Sequence, residues 1–125
     1  MPDLYKDIQQ FHAKFGLEGP DSPFLLPKEL LEFRVKFMME ELNEYVEAHD
    51  KGDKAKALDA LVDLVYVVLG TSYLHGFDFN EAWRRVHDAN MQKVRAKRAE
   101  DSKRGSIFDV VKPEGWTAPD LSDLV

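Results

Sequence analysis

Ten of the twelve residues from Leu58 to Leu69 are apolar, and the two exceptions, Asp59 and Asp63, stand four apart. On a helix that spacing puts both carboxylates on one side, while apolar side chains point in the other directions. A rod of this kind must be covered by neighbouring helices or by a second subunit. The stretch is not a membrane span on this reading, because its longest uninterrupted apolar run, Leu64 to Leu69, is six residues against the ~20 a bilayer requires. A lone carboxylate in apolar surroundings costs several kcal/mol or takes up a proton, and clustered ones also repel.

A second acidic set lies upstream, in Phe37-Met38-Met39-Glu40-Glu41-Leu42-Asn43-Glu44-Tyr45-Val46. At about 100° per residue, Leu30, Phe37, Met38, Tyr45 and Ala48 fall within about 60° of Glu41, so that acid stands in the middle of an apolar face. Glu44 lies roughly 60° and Glu40 roughly 100° to one side of it. Five acids on two adjacent apolar helices point to a bound cation. With no cysteine in the chain, the donors are oxygens, which favour a hard ion, Mg²⁺ before Ca²⁺ or Mn²⁺. The alternative is that these acids sit at an oligomer or domain boundary, pair with Lys or Arg, or face solvent.

A chain of 125 residues fits one compact core. Its 17 basic against 23 acidic residues, net −6, make a surface built for nucleic acid unlike it, and suit a cytoplasmic protein. The opening Met-Pro-Asp-Leu-Tyr-Lys has no apolar signal core. The absence of cysteine excludes disulfides, thiolate metal sites and cysteine nucleophiles.

The periodicity predicts an all-α, four-to-five-helix bundle over residues 1–104, followed by an irregular extension, 105–125, that packs on or over the site. Leu4, Ile8, Phe11 and Phe15 give a first helix over 3–15 that Gly16 closes, with His12 a packing or surface residue. Gly19-Pro20-Asp21-Ser22-Pro23 is a loop, and Phe24-Leu25-Leu26 tucks back on the core. Pro27 suits the first turn of a second helix running to about Asp50. Asp53 caps a third helix that extends towards Gly76, antiparallel to the second because the connection is short. Ala60 and Gly70 leave room beside the Asp face for a close helix or a ligand.

Asp78-Phe79-Asn80-Glu81 has the form of a capping box and starts a fourth helix. On it Trp83, Val86, Asn90, Val94 and Lys97 share a face, with Lys93 beside them. The six Lys or Arg residues between Lys93 and Arg104 form either a solvated face or, at their start, a contact for polyphosphate. Ile107 to Val111 reads as a short extended segment. Lys112-Pro113-Glu114-Gly115-Trp116-Thr117-Ala118-Pro119 is irregular, and is either a packed extension or a flap over a site.

Mg²⁺ held by a few carboxylates keeps positions open for water and phosphate oxygens, which makes phosphoryl or nucleotidyl hydrolysis the matching chemistry. No Gly-rich phosphate loop, nucleophile elbow or His-rich zinc motif is present.

Glu40-Glu41-Leu42-Asn43-Glu44 resembles the Glu-Glu-x-x-Glu hallmark of the all-α, MazG-like nucleoside triphosphate pyrophosphohydrolases, the group that includes phosphoribosyl-ATP pyrophosphohydrolase. The second half of the hallmark, Glu-x-x-Asp, is matched at Asp63 but has Ala60 at the Glu position, with Asp59 one residue earlier. Asn90-x-x-Lys93 and the tail Lys112 to Pro119 are similar to the phosphoribosyl-ATP branch, so the likeness spans about residues 28 to 119. The resemblance implies Mg²⁺-dependent (or Mn²⁺-dependent) cleavage between the α and β phosphates of an NTP or dNTP by a homodimer or dimer of dimers. It implies Glu41, Glu44 and Asp63 as metal ligands with Asp59 as a further candidate, and Glu40 as an additional ligand or the group that orients water. Asn90 and Lys93 would hold substrate, with Lys112 and Trp116 closing over it. The alternatives are hydrolysis of phosphoribosyl-ATP itself, or a non-catalytic helical adaptor or nucleic-acid binder using Lys93 to Arg104.

Overall fold

The computed structural model describes residues 3–125. Among these it contains four helices and one two-stranded ladder: α1 (Leu4–Lys14), α2 (Lys28–Asp50), α3 (Lys54–His75), α4 (Phe79–Asn90), β1 (Val94–Arg95) and β2 (Val110–Val111). Met1 and Pro2, part of the opening stretch read above, lie outside the described residues. The all-α architecture with an irregular C-terminal tail is as predicted. The described chain forms two compact units, one made of the residues up to Phe79 with Val125 and the other Asn80–Leu124.

In the first unit the helix ends are set by local chemistry. Asp3 and Asp53 cap α1 and α3, their side chains accepting from the backbone N–H groups of Lys6 at 3.1 Å and Lys56 at 3.0 Å. Gly76, at φ 76°, ends α3 in the left-handed conformation that only glycine adopts without cost. Pro27 stands one residue earlier than predicted, as the N-cap of α2 rather than within its first turn. Its carbonyl accepts from Leu31 at 2.9 Å, and its missing N–H costs nothing there. The three-residue connection after Asp50 lays α2 and α3 antiparallel.

Tyr5, Ile8 and Leu69 make the buried cluster, with Tyr73 and Phe79 packed against it. Tyr5 stacks on Phe79 with ring centroids 5.8 Å apart and donates its hydroxyl to the Phe77 carbonyl at 2.9 Å. Of Phe24-Leu25-Leu26, only Leu26 is buried; the other two are exposed. The Phe24 N–H bonds the His75 carbonyl at 3.0 Å, so backbone pairing and the burial of Leu26 hold this segment.

By length and composition alone, α3 is long and apolar enough to cross a bilayer, with a mean hydropathy of 1.5 over its best window. Asp59 and Asp63 stand within it, and a carboxylate near a bilayer midplane is costly. The apolar surface of α3 is therefore better satisfied by protein.

In the second unit α4 ends at Asn90, and this corrects the prediction that Val94 and Lys97 continue its face. The last turn tightens, with Gln92 N–H bonding the Ala89 carbonyl at 3.2 Å and Lys93 N–H that of Asn90 at 3.0 Å. Val94 and Arg95 then pair antiparallel with Val111 and Val110. β-branched Val94 and Val111 suit a ladder better than a helix, and the extended partner is supplied by the segment predicted around Val110. The tail is tied to α4: Trp116 Nε1 donates to the Ala89 carbonyl at 2.7 Å, and Arg85 grips Asp123 at 2.6 and 3.0 Å.

Candidate active site

Helix phase places Glu41 on the buried side of α2, where it is only 8% exposed, while Glu40 and Glu44 are exposed at its edge. On α3, Asp63 is half-buried, Asp59 exposed and Ala60 buried. Glu41 Oε2 is buried with no hydrogen-bond partner. Burial, then a hydrogen bond with Glu44 and the charges of Glu44, Asp63 and Glu40, push the Glu41 carboxyl up to about 7. Burial, followed by the charges of Asp59 and Glu44, raises Asp63 as well. The five acids predicted from the sequence thus act on one another across the α2–α3 pair.

Among the described residues, no Lys or Arg nitrogen forms an ion pair with any of these five carboxylates. Glu44, Asp59 and Ala60 also line a cavity of about 320 Å³ at the turn end of the helix pair. No group of three or more His, Asp or Glu side chains among the described residues is drawn in tightly enough to hold a metal ion as it stands. The acidic set is all oxygen, has no ammonium in an ion pair with it, and contains an orphaned buried carboxylate oxygen, which is the donor chemistry that a hard divalent cation takes. Glu41, Glu44 and Asp63, with Asp59, are the carboxylates that would have to draw together for such an ion to bind.

The register of the two helices is fixed by a residue that the sequence reading passed over. Arg34 is buried, donating from Nη2 to the Val67 carbonyl at 2.9 Å and from Nε to Thr71 Oγ1 at 3.0 Å. Its signal was visible: seven residues before Glu41, it lies about 20° from that acid on the helix wheel. His12 is a packing residue, buried, with Nδ1 2.8 Å from the Leu17 carbonyl and its ring edge-on to Tyr73. The room left by Gly70 is filled by these two side chains, since a Cβ there would stand 2.7 Å from Arg34 Nη2 and 2.9 Å from His12 Nε2. Close packing, rather than a ligand, accounts for that glycine.

In the second unit Asn90 is the last residue of α4 and is exposed. Lys93 Nζ and Lys112 Nζ each stand 5.1 Å from the centre of the Trp116 ring. The structure therefore gathers Lys93, Lys112 and Trp116, three of the predicted substrate contacts, into one cluster.

The model of the phosphoribosyl-ATP pyrophosphohydrolase family matches residues 8–90, more than half of the chain. No match was found among curated proteins.

Proposed function

The chain belongs to the phosphoribosyl-ATP pyrophosphohydrolase family, a group of hydrolases acting on acid anhydrides, and from that premise we propose that it cleaves the α–β phosphate bond of a nucleoside or deoxynucleoside triphosphate with Mg²⁺. The family is within the MazG-like superfamily and is generally dependent on a divalent metal. Water adds to the α-phosphorus, the bond to the bridging oxygen breaks, and nucleoside monophosphate and pyrophosphate result. The observation that carries this reading is the unpartnered buried oxygen of Glu41 beside Glu44 and Asp63.

Glu41, Glu44 and Asp63 would hold the cation, with Asp59 in place of the acid missing at Ala60. When bound, Mg²⁺ neutralises phosphate charge and lowers the pKa of water. Glu40, exposed at the edge of the cluster, orients the attacking water and takes its proton. Asn90 and Lys93 hold the substrate, and Lys112 and Trp116 close over it.

Self-association to a homodimer or dimer of dimers is supported by the apolar side chains that α2 and α3 leave uncovered. Phe33 and Met39 on α2, and Leu58 and Val62 on α3, are each more than half exposed. The acidic balance of the chain, net −6, and a nucleotide substrate support a cytoplasmic location.

Phosphoribosyl-ATP is the second substrate to consider, because it is the compound for which the matching family is named. The test is pyrophosphate release with Mg²⁺ from the common NTPs and dNTPs and from phosphoribosyl-ATP, using wild type and Glu41→Gln. The proposal expects turnover of a triphosphate that the variant loses by at least about a hundredfold. Turnover of phosphoribosyl-ATP alone would reassign the substrate, and no turnover of either would overturn the reading.

A further inference from the structure

The second unit holds a cavity of about 400 Å³ lined by Lys93, Lys103, Arg104 and Lys112, together with Asp101, Asp109, Val110 and Val111. This volume suits a small-molecule ligand, and four cations around one cavity stand out in a chain of net charge −6.

The ladder brings these cations together. Val94 pairs with Val111, and the same register carried one place outward sets Lys93 opposite Lys112. Like charges facing each other across a ladder are destabilising. With each Nζ 5.1 Å from the Trp116 centroid, the two ammoniums are at most about 10 Å apart, no farther than the Debye length at moderate salt. The two aspartates neutralise Arg104 alone and leave the three lysines unpaired. Asp109 is taken by Arg104 at 2.6 Å and by the Ser102 hydroxyl at 2.6 Å, and Asp101 by Arg98 at 3.2 Å. Among the described residues, Lys93, Lys103 and Lys112 have no carboxylate partner.

We infer that this pocket is a metal-independent site for a phosphate chain, with Lys103 and Arg104 joining Lys93 and Lys112 as its contacts. Three free ammoniums exceed what one phosphomonoester, at about −1.5 to −2, can neutralise. A di- or triphosphate, with charges spaced along a flexible chain, matches them. Arg104 is held in place by Asp109, while Lys103 keeps its three donors free. The inference rests on the function proposed above only in taking the chain to be that of the substrate or the released pyrophosphate.

The experiment is titration calorimetry in EDTA with inorganic pyrophosphate, tripolyphosphate and ribose 5-phosphate, on full-length wild type, Lys103→Ala, Lys103→Glu and Glu41→Gln. Folding of each variant is checked by circular dichroism. The expected result is pyrophosphate and tripolyphosphate binding that Glu41→Gln retains, that Lys103→Ala weakens roughly tenfold and Lys103→Glu more, and that exceeds binding of ribose 5-phosphate. Absence of metal-free binding, indifference to Lys103→Glu, or equal binding of ribose 5-phosphate would overturn it. So would tighter binding of single-stranded DNA with a steep salt dependence. Nucleotide turnover without metal-free pyrophosphate binding would overturn this site and leave the proposed function standing. Binding without turnover would support this site and overturn that function.

Discussion

Arg34 Nη2 on α2 donates to the main-chain carbonyl of Val67 on α3 at 2.9 Å. Seven residues after Arg34 comes Glu41, and four residues before Val67 comes Asp63, so this bond sets the register in which the two acidic sets face each other. Arg34→Met keeps much of the stem volume but removes the donors. Hydrogen bonds from a charged group are worth about 1.5–3 kcal/mol, and a loss of that order in chemical denaturation is expected, with Arg34→Lys recovering only part of it.

Glu41 makes stability fall with rising pH in metal-free buffer. Its carboxyl sits at about 7 in the folded chain against an ordinary 4.5, so folding takes up a proton between those values and is disfavoured as pH rises through them. The raised Asp63 acts in the same sense. Melting temperatures of wild type should decline from pH 5 to pH 8 more steeply than those of Glu41→Gln, and millimolar Mg²⁺ should restore the wild type at the alkaline end but not the variant. A wild-type profile parallel to that of Glu41→Gln would remove the buried carboxylate from the account.

The proposed substitution of Asp59 for the acid missing at Ala60 is tested by moving the carboxylate between the two positions. If Asp59 stands in for the missing acid, Asp59→Ala should raise the Mg²⁺ concentration for half-maximal activity by at least about tenfold, and adding Ala60→Glu should recover most of that loss. Because Ala60 is buried, Ala60→Glu alone should lower the melting temperature without metal. An unchanged Mg²⁺ dependence in Asp59→Ala would exclude that aspartate as a ligand.

Trp116 ties the tail to α4 through one hydrogen bond to Ala89. Trp116→Phe retains a ring beside Lys93 and Lys112 while removing the donor, and should cost about 1 kcal/mol. Hydrogen exchange of the tail amides reads this directly, and protection equal to wild type would show that packing and the Arg85–Asp123 pair hold the tail without this bond.

Much of this was written in short-range sequence. The cap at Asp53, the stop at Gly76, the antiparallel pairing forced by a brief connection, and the inward phase of Glu41 follow from groups within about one or two helical turns of each other. Such interactions depend on near neighbours in the chain.

Tertiary structure alone decided the rest. Val94 leaves the helix because Val111, seventeen residues later, offers its backbone a better partner. Arg34 and His12 share the space above Gly70 only once three helices have packed. The basic run from Lys93 to Arg104 reads as a solvated strip until the ladder folds Lys112 against it. In each case the deciding contact joins residues far apart in the chain, and neither periodicity nor local propensity carries information about which distant partner will arrive.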